Sequence, residues 1–213
     1  MAKRSGQRSN FSRIPLSAIA CAAVFLCQYT WAAGAGAAPN GIRQIDVEHS
    51  WMKVHVGKEG LFAFAGDEHQ VNAPIASGSF DEDRKSVELT VDAMKMQVLD
   101  PPSRRGKVQA NMLGPQVLDV EKYPKIAFHS TGVIEAASPA EGSAPKTWTI
   151  KGDLTLHGQT HQITVTTERL DANRFSGSAR FKQTAFGITP IRVAAGAVRV
   201  RDDVDITFDI ILK

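Results

Sequence analysis

Cysteine is scarce in this sequence of 213 residues, and both cysteines lie near its start, at Cys21 and Cys27. No disulfide and no thiol nucleophile can therefore exist beyond residue 27. Acidic residues are missing from residues 1–37, which hold four of the 25 Lys and Arg residues. From Ala38 onward, the remaining 21 basic residues are balanced by 22 acidic ones. This balance argues against nucleic-acid binding, which requires a basic face.

Long apolar runs are also absent, except for Ile14–Cys27. Its 14 residues fall short of the ~20 that span a bilayer. It follows a basic start and precedes the small residues of Ala32–Ala38, and these are the three parts of a secretory signal peptide. The sequence therefore predicts a cleavable signal peptide over residues 1–37 and a single domain over residues 38–213. A membrane anchor and lipid attachment at Cys21 or Cys27 are the less favoured alternatives.

Sequence motifs of common enzyme classes are missing as well. There is no Gly-x-Ser-x-Gly turn, no glycine-rich phosphate loop and no alternation of strands and helices that would carry either. The candidate metal ligands are His69, in a loop beside Asp67 and Glu68, and the pair His157 and His161, which flank one turn. We expect no enzyme and no cofactor, and we keep a metal-linked or haem-linked redox accessory protein as an alternative.

Alternation of apolar and polar residues dominates the rest of the chain. Met52, Val54 and Val56 alternate with polar residues, as do the apolar residues of Val204–Ile210. A period of two is typical of strands with one dry face and one wet face. We count about eight strands, with turns at residues 157–160 and 171–173 and a bulge at Asp202 and Asp203.

One segment has helical spacing instead. Val108, Met112 and Leu113 predict a short helix near residues 104–113, with Ser103 as its N-cap and Gly114 at its end. The fold class is therefore all-β with one helix. About eight antiparallel strands must close into a barrel or stack as a sandwich, and the pattern alone favours neither.

Apolar residues are the best candidates for a functional site in this sequence. Phenylalanine is present ten times and methionine five times, more than strand pairing alone requires. These side chains either pack an ordinary core or line a cavity for an apolar ligand.

Several segments resemble the YceI-like family of bacterial polyisoprenoid-binding proteins. Leu118–Thr131 (Leu-Asp-Val-Glu-Lys-Tyr-Pro-Lys-Ile-Ala-Phe-His-Ser-Thr) resembles the central motif of the family. Gly152–Gly158 matches its hairpin, and Phe186–Ile188 matches its late Phe-Gly motif. His49-Ser50 and the closing alternation Val204–Ile210 follow in the order of the family, so the resemblance extends over residues 45–212.

The resemblance implies an extended antiparallel β-barrel, lipocalin-like, with a long apolar pocket along its axis. It also implies export to the periplasm and binding of a polyisoprenoid or isoprenoid-quinone-like lipid, without catalysis and without stable membrane insertion. A homodimer is left open. The residues expected to line or gate the pocket are all apolar: Phe64, Leu89, Val91, Met94, Met112, Leu113, Phe128, Trp148, Ile150, Phe186, Ile206 and Phe208. The helix around Val108–Leu113 is expected to cover an opening.

Two departures from the family pattern point to a different ligand preference. Gln183-Thr184-Ala185 stands before Phe-Gly, where the family commonly has a basic and an acidic residue. Arg104-Arg105-Gly106 stands near the place of the usual Arg-Asp. A stress-response or structural partner protein with a filled barrel is the remaining alternative.

Overall fold

The computed structural model describes residues 41–59, 68–135, 146–193 and 198–213, which all belong to one compact unit. Regular structure in this part is mostly β. The strands are β1 Ile42–Gln44, β2 Trp51–Glu59, β3 His69–Asn72, β4 Ile75–Asp81, β5 Ser86–Asp92, β6 Gln97–Val98, β7 Lys125–Glu135, β8 Thr147–Leu156, β9 Gln159–Arg169, β10 Arg174–Lys182, β11 Arg192–Val193 and β12 Val198–Ile211. The helix α1 spans Pro102–Leu113, and two 3-10 turns span Ala93–Lys95 and Gln183–Phe186.

The predicted all-β class is confirmed, but the described part contains twelve strands instead of about eight. Eight of the twelve strands in the described part contain seven or more residues, and the alternation predicts all of these except β4. The other four, β1, β3, β6 and β11, contain two to four residues. A period of two cannot be recognised over so few positions.

The strands form one curled antiparallel sheet with the order β1-β4-β5-β7-β8-β9-β10-β12-β2-β3-β6, and β11 pairs with β12. The residues that follow β1, at one edge of this sheet, form hydrogen bonds with the end of β12. Ile45 and Leu212 form a β-bridge. The N–H of Asp46 donates to the carbonyl of Ile211 (2.7 Å), and the N–H of Lys213 donates to that of Gln44 (2.8 Å). The sheet thereby curls into the predicted lipocalin-like barrel.

Turn chemistry accounts for the tightest connection. His157 (φ 51°) and Gly158 (φ 72°) both lie in the left-handed region, as a two-residue type I′ hairpin requires. Glycine is needed at the second position because a Cβ there would lie 2.8 Å from Cζ of Tyr123. The predicted irregularity at Asp202 and Asp203 is also present, since the pairing of β12 with β2 shifts register between Val200 and Val204.

The helix α1 starts earlier than predicted, and its predicted cap is wrong. Pro101 occupies the N-cap position without a side-chain hydrogen bond, and Ser103 lies inside the first turn. Proline suits this start because Pro102 lacks an N–H that would otherwise be unpaired. Gly114 ends the helix as predicted, with its N–H bonded to the carbonyl of Ala110.

The core follows the inward faces of the strands. Its larger cluster joins β3, β5, β8 and β9 to Leu118, Val120 and Phe186. A smaller cluster, built on Ile45, Ile75, Ile210 and Leu212, lies where β1 meets β12. No helix in the described ranges is long and apolar enough to cross a membrane.

Candidate ligand-binding site

A cavity of about 480 Å³ lies inside the curled sheet, a volume within the usual range for small-molecule sites. Its wall is formed by inward-facing residues of β4, β5, β7, β8, β9, β10 and β12. Most of these side chains are aliphatic or aromatic, because the period of two places the polar side chains of the same strands on the outside. The cavity can therefore hold an apolar molecule.

Two glycines explain why the cavity stays open although two phenylalanines line it. A Cβ on Gly152 would lie 2.5 Å from Cε2 of Phe128, and a Cβ on Gly177 would lie 2.5 Å from Cζ of Phe208. The far edge of each ring thus occupies the place of the missing side chain on a neighbouring strand. The rings cover the wall and leave the centre of the barrel free.

Among the residues that the structure describes, the charged ones on the cavity wall all lie at one end, which we call the mouth. They lie in β1, in the β4–β5 turn and at the ends of β7 and β9: Arg43, Glu82, Lys85, Glu135 and Arg169. Nε and Nη2 of Arg169 donate to the carbonyl oxygens of Asp171 and Ala172, at 2.8 Å each. Its guanidinium also lies 5.8 Å from the centroid of the Phe175 ring. These partners hold the group without neutralising its charge.

Aromatic packing occupies the opposite end of β8 and β9. Phe186 is 1% exposed, and its ring centroid lies 5.2 Å from those of His161 and Phe181. His157 Nδ1 is 3.1 Å from the Phe186 carbonyl, and its ring lies edge-on to Tyr123 at 5.0 Å. The three sequence motifs that carry the family resemblance therefore meet in this cluster, away from the mouth.

Seven residues that the sequence predicts as pocket residues lie on the cavity wall: Leu89, Val91, Phe128, Trp148, Ile150, Ile206 and Phe208. All of them occupy inward positions of long strands. Whether they contact a ligand stays a prediction.

The structure places four other predicted residues away from the cavity wall. Met94 is 59% exposed because β5 ends at Asp92, which caps a 3-10 turn instead of continuing the alternation. Met112 and Leu113 pack on the core from α1 and do not line the cavity. Phe186 points inward but is enclosed by its aromatic neighbours. Phe64 lies outside the described residues.

Other wall residues were not predicted. Met52, Val133, Val165 and Ala179 occupy inward positions in strands, and the alternation that identifies the strands could have found them. The charged residues of the mouth carry no comparable signal, because turn residues of this kind are common on any surface.

The candidate metal ligands have other partners. His69 Nδ1 lies 2.7 Å from the buried carboxylate of Asp100, and His157 and His161 belong to the Phe186 cluster. Within the described ranges, no group of three or more His, Cys, Asp or Glu side chains is arranged to hold a metal ion.

Sequence comparison agrees with the geometry. A family model described as "YceI-like domain" matches residues 44–212. A UPF0312 protein from Vibrio cholerae is 26% identical over 120 residues, which are 52% of this chain and 60% of that protein. The chain thus spans less than two thirds of the length of the curated relatives it matches.

Two solved structures share the fold. The crystal structure of BcnA from Burkholderia cenocepacia has a TM-score of 0.52 and 21% identity, covering 79% of this chain and 99% of that one. A polyisoprenoid-binding domain from Saccharophagus degradans, implicated in plant cell wall breakdown, has a TM-score of 0.54 and 12% identity, covering 80% and 97%. At these identities the likeness shows the fold alone.

Proposed function

Because this chain belongs to the YceI-like domain family, we propose that it binds the apolar chain of a polyisoprenoid or isoprenoid-quinone-like lipid inside its barrel, without catalysis. The observation that carries the proposal is the apolar cavity of about 480 Å³ with charged residues at one end. Each methylene moved from water into such a cavity contributes about 0.8 kcal/mol. The name of the Saccharophagus degradans relative, a polyisoprenoid-binding domain, supports the same ligand class.

The distribution of polar groups gives the ligand an orientation. The charged side chains of the mouth include Arg43, Lys85 and Arg169, whereas residues deeper in the cavity, such as Leu154 and Ile163, are apolar. A lipid in this cavity therefore places its tail toward the Phe186 cluster and its polar head at the mouth. A reversed lipid would bury its head without hydrogen-bond partners, which costs several kcal/mol.

Native mass spectrometry with lipid extraction tests the binding. Protein purified from its natural host should carry a lipid of the isoprenoid class, and the Ala179→Leu variant should carry much less, because Ala179 lies on the cavity wall. Ser178→Leu is the matched control, since Ser178 is the exposed neighbour on the same strand. A wild-type protein that is reproducibly empty, or an Ala179→Leu variant that is fully loaded, would contradict the proposal.

Export to the periplasm is part of the proposal and is supported by the three-part pattern of residues 1–37. Cell fractionation should place the protein in the periplasm, and its intact mass should correspond to cleavage between residues 35 and 38. A full-length protein retained in the cytoplasm would contradict this part alone.

A further inference from the structure

The glycines beneath the two phenylalanine rings lie on the inner face of the barrel. Gly152 lies between Ile150 and Leu154 on β8, and both of these residues line the cavity. Gly177 pairs directly with Phe208. Neither glycine has a positive φ, so its own backbone conformation does not require glycine. A Cβ would also clash with a backbone carbonyl oxygen of a neighbouring strand, that of His129 for Gly152 and that of Thr166 for Gly177. What each position lacks is a side chain.

The missing side chains decide where the rings lie. Phe128 pairs with Leu154, and its ring extends along β8 until Cε2 reaches the place that a Cβ of Gly152 would occupy, 2.5 Å away. Phe208 covers Gly177 in the same manner from β12. Since both rings belong to the cavity wall, a ring that lost its place would have to turn into the cavity.

Building on the proposed function, we propose that Gly152 and Gly177 are specificity-determining residues, which give the cavity the width required by methyl-branched chains. Isoprenoid chains carry a methyl branch on every unit, whereas fatty-acyl chains have none. With both rings on the wall, the cavity accepts the branches. With a side chain at Gly152, the ring of Phe128 enters the cavity and favours an unbranched chain.

Competition between two alcohols in native mass spectrometry tests this inference. Phytanol and hexadecanol share one main chain and differ only in methyl branches, so their bound ratio reports the width of the cavity. We expect Gly152→Ala to lower the bound ratio of phytanol to hexadecanol by about tenfold, because the displaced ring takes the room of roughly two methyl groups. Gly132→Ala is the matched control, because a Cβ on Gly132 meets nothing within 4 Å.

A double variant separates the ring from the backbone. A Cβ on Gly152 would also lie 2.7 Å from the carbonyl oxygen of His129, so the single variant also perturbs β7. Gly152→Ala/Phe128→Ala keeps that perturbation but removes the ring, and it should return the ratio to near the wild-type value. A double variant that stays at the low ratio would overturn the inference.

The remaining outcomes distinguish this inference from the proposed function. A folded Gly152→Ala variant with an unchanged ratio overturns the role of the glycines and leaves lipid binding intact. A wild-type protein that binds neither alcohol overturns the proposed function, and the inference with it. If Gly152→Ala does not fold, Phe128→Trp is measured instead. Its larger ring should lower the ratio, and an unchanged ratio would again overturn the inference.

Discussion

Phe186 shows how one side chain joins segments that lie far apart in the sequence. Its ring contacts those of His161 and Phe181, and its carbonyl accepts a hydrogen bond from His157. Gly187, with φ at 74°, ends the 3-10 turn that carries it. The residue was predicted to line or gate the pocket, and its burial indicates a structural role at the end of the barrel.

Truncation of Phe186 should therefore reduce stability. We expect Phe186→Ala to lower the free energy of unfolding by about 3–5 kcal/mol, as for other large-to-small core substitutions, measured by urea denaturation. Met94→Ala is the control, because Met94 is exposed and its truncation should cost less than about 0.5 kcal/mol. A similar loss in both variants would contradict the structural role.

Asp202 also stabilises the 3-10 turn Gln183–Phe186 that carries Phe186. Its carboxylate accepts hydrogen bonds from the N–H (2.9 Å) and the hydroxyl (2.8 Å) of Thr184. Burial of the carboxyl group raises its pKa. The hydrogen bonds from Thr184 and the nearby Lys182 lower the pKa by more than burial raises it, so the pKa of Asp202 lies below its usual value. The ionised form is therefore the one that stabilises the fold.

The depressed pKa makes this contribution depend on pH. It is fully present above the pKa of the unfolded state, about 3.9, and is lost as the pH falls through the lower folded-state pKa. We expect Asp202→Asn to be less stable than wild type at neutral pH, with a difference that shrinks in acid. Urea denaturation over a range of pH measures this difference in the free energy of unfolding. A difference that does not change with pH would contradict the stabilising role of ionised Asp202.

At the scale of elements, α1 protects an edge of the sheet. The side chain of Gln109 imitates a further strand beside β6. Its Oε1 accepts from the N–H of Val98, and its Nε2 donates to the carbonyl of Met96, both at 2.7 Å. An uncovered edge would offer these groups to another chain.

Substitution of Gln109 should therefore expose the edge. We expect Gln109→Leu to lower the free energy of unfolding by about 1–3 kcal/mol, because it leaves buried backbone groups without partners. Asn111→Leu changes an exposed position of the same helix and serves as the control in thermal denaturation. Equal melting temperatures for Gln109→Leu and wild type would show that the edge does not need this cover.

At the scale of the whole molecule, the open cavity links ligand binding to stability. An apolar cavity without ligand loses the contacts that a packed core would have. A ligand that binds only the folded state restores them, and stabilises it by about 2.7 kcal/mol at a hundred times its dissociation constant.

Removal of the lipid should therefore lower the melting temperature. We expect delipidated protein to melt several degrees below loaded protein, and re-addition of the lipid to reverse the change, as measured by calorimetry. The Ala179→Leu variant should respond little to either treatment. A wild-type melting temperature that is independent of lipid would contradict binding in the barrel.

The sequence predicted those features that depend on neighbouring residues. Alternation in segments such as Val204–Ile210 identified the long strands, and inward positions such as Trp148 and Ile150 could be read directly from it. The alternation did not show where a strand ends. Nothing in the pattern shows that β5 ends at Asp92, so Met94 was assigned to the pocket although it is exposed.

The family motifs and the all-β class were therefore determined by the sequence alone, because period and turn chemistry are local properties of the chain. Whether the barrel holds a cavity or a filled core was decided only by the tertiary structure. It depends on Phe128 lying over Gly152 and Phe208 over Gly177, contacts between different strands. Residues that are distant in the sequence come into contact only after the sheet has curled, so no local sequence pattern predicts these contacts.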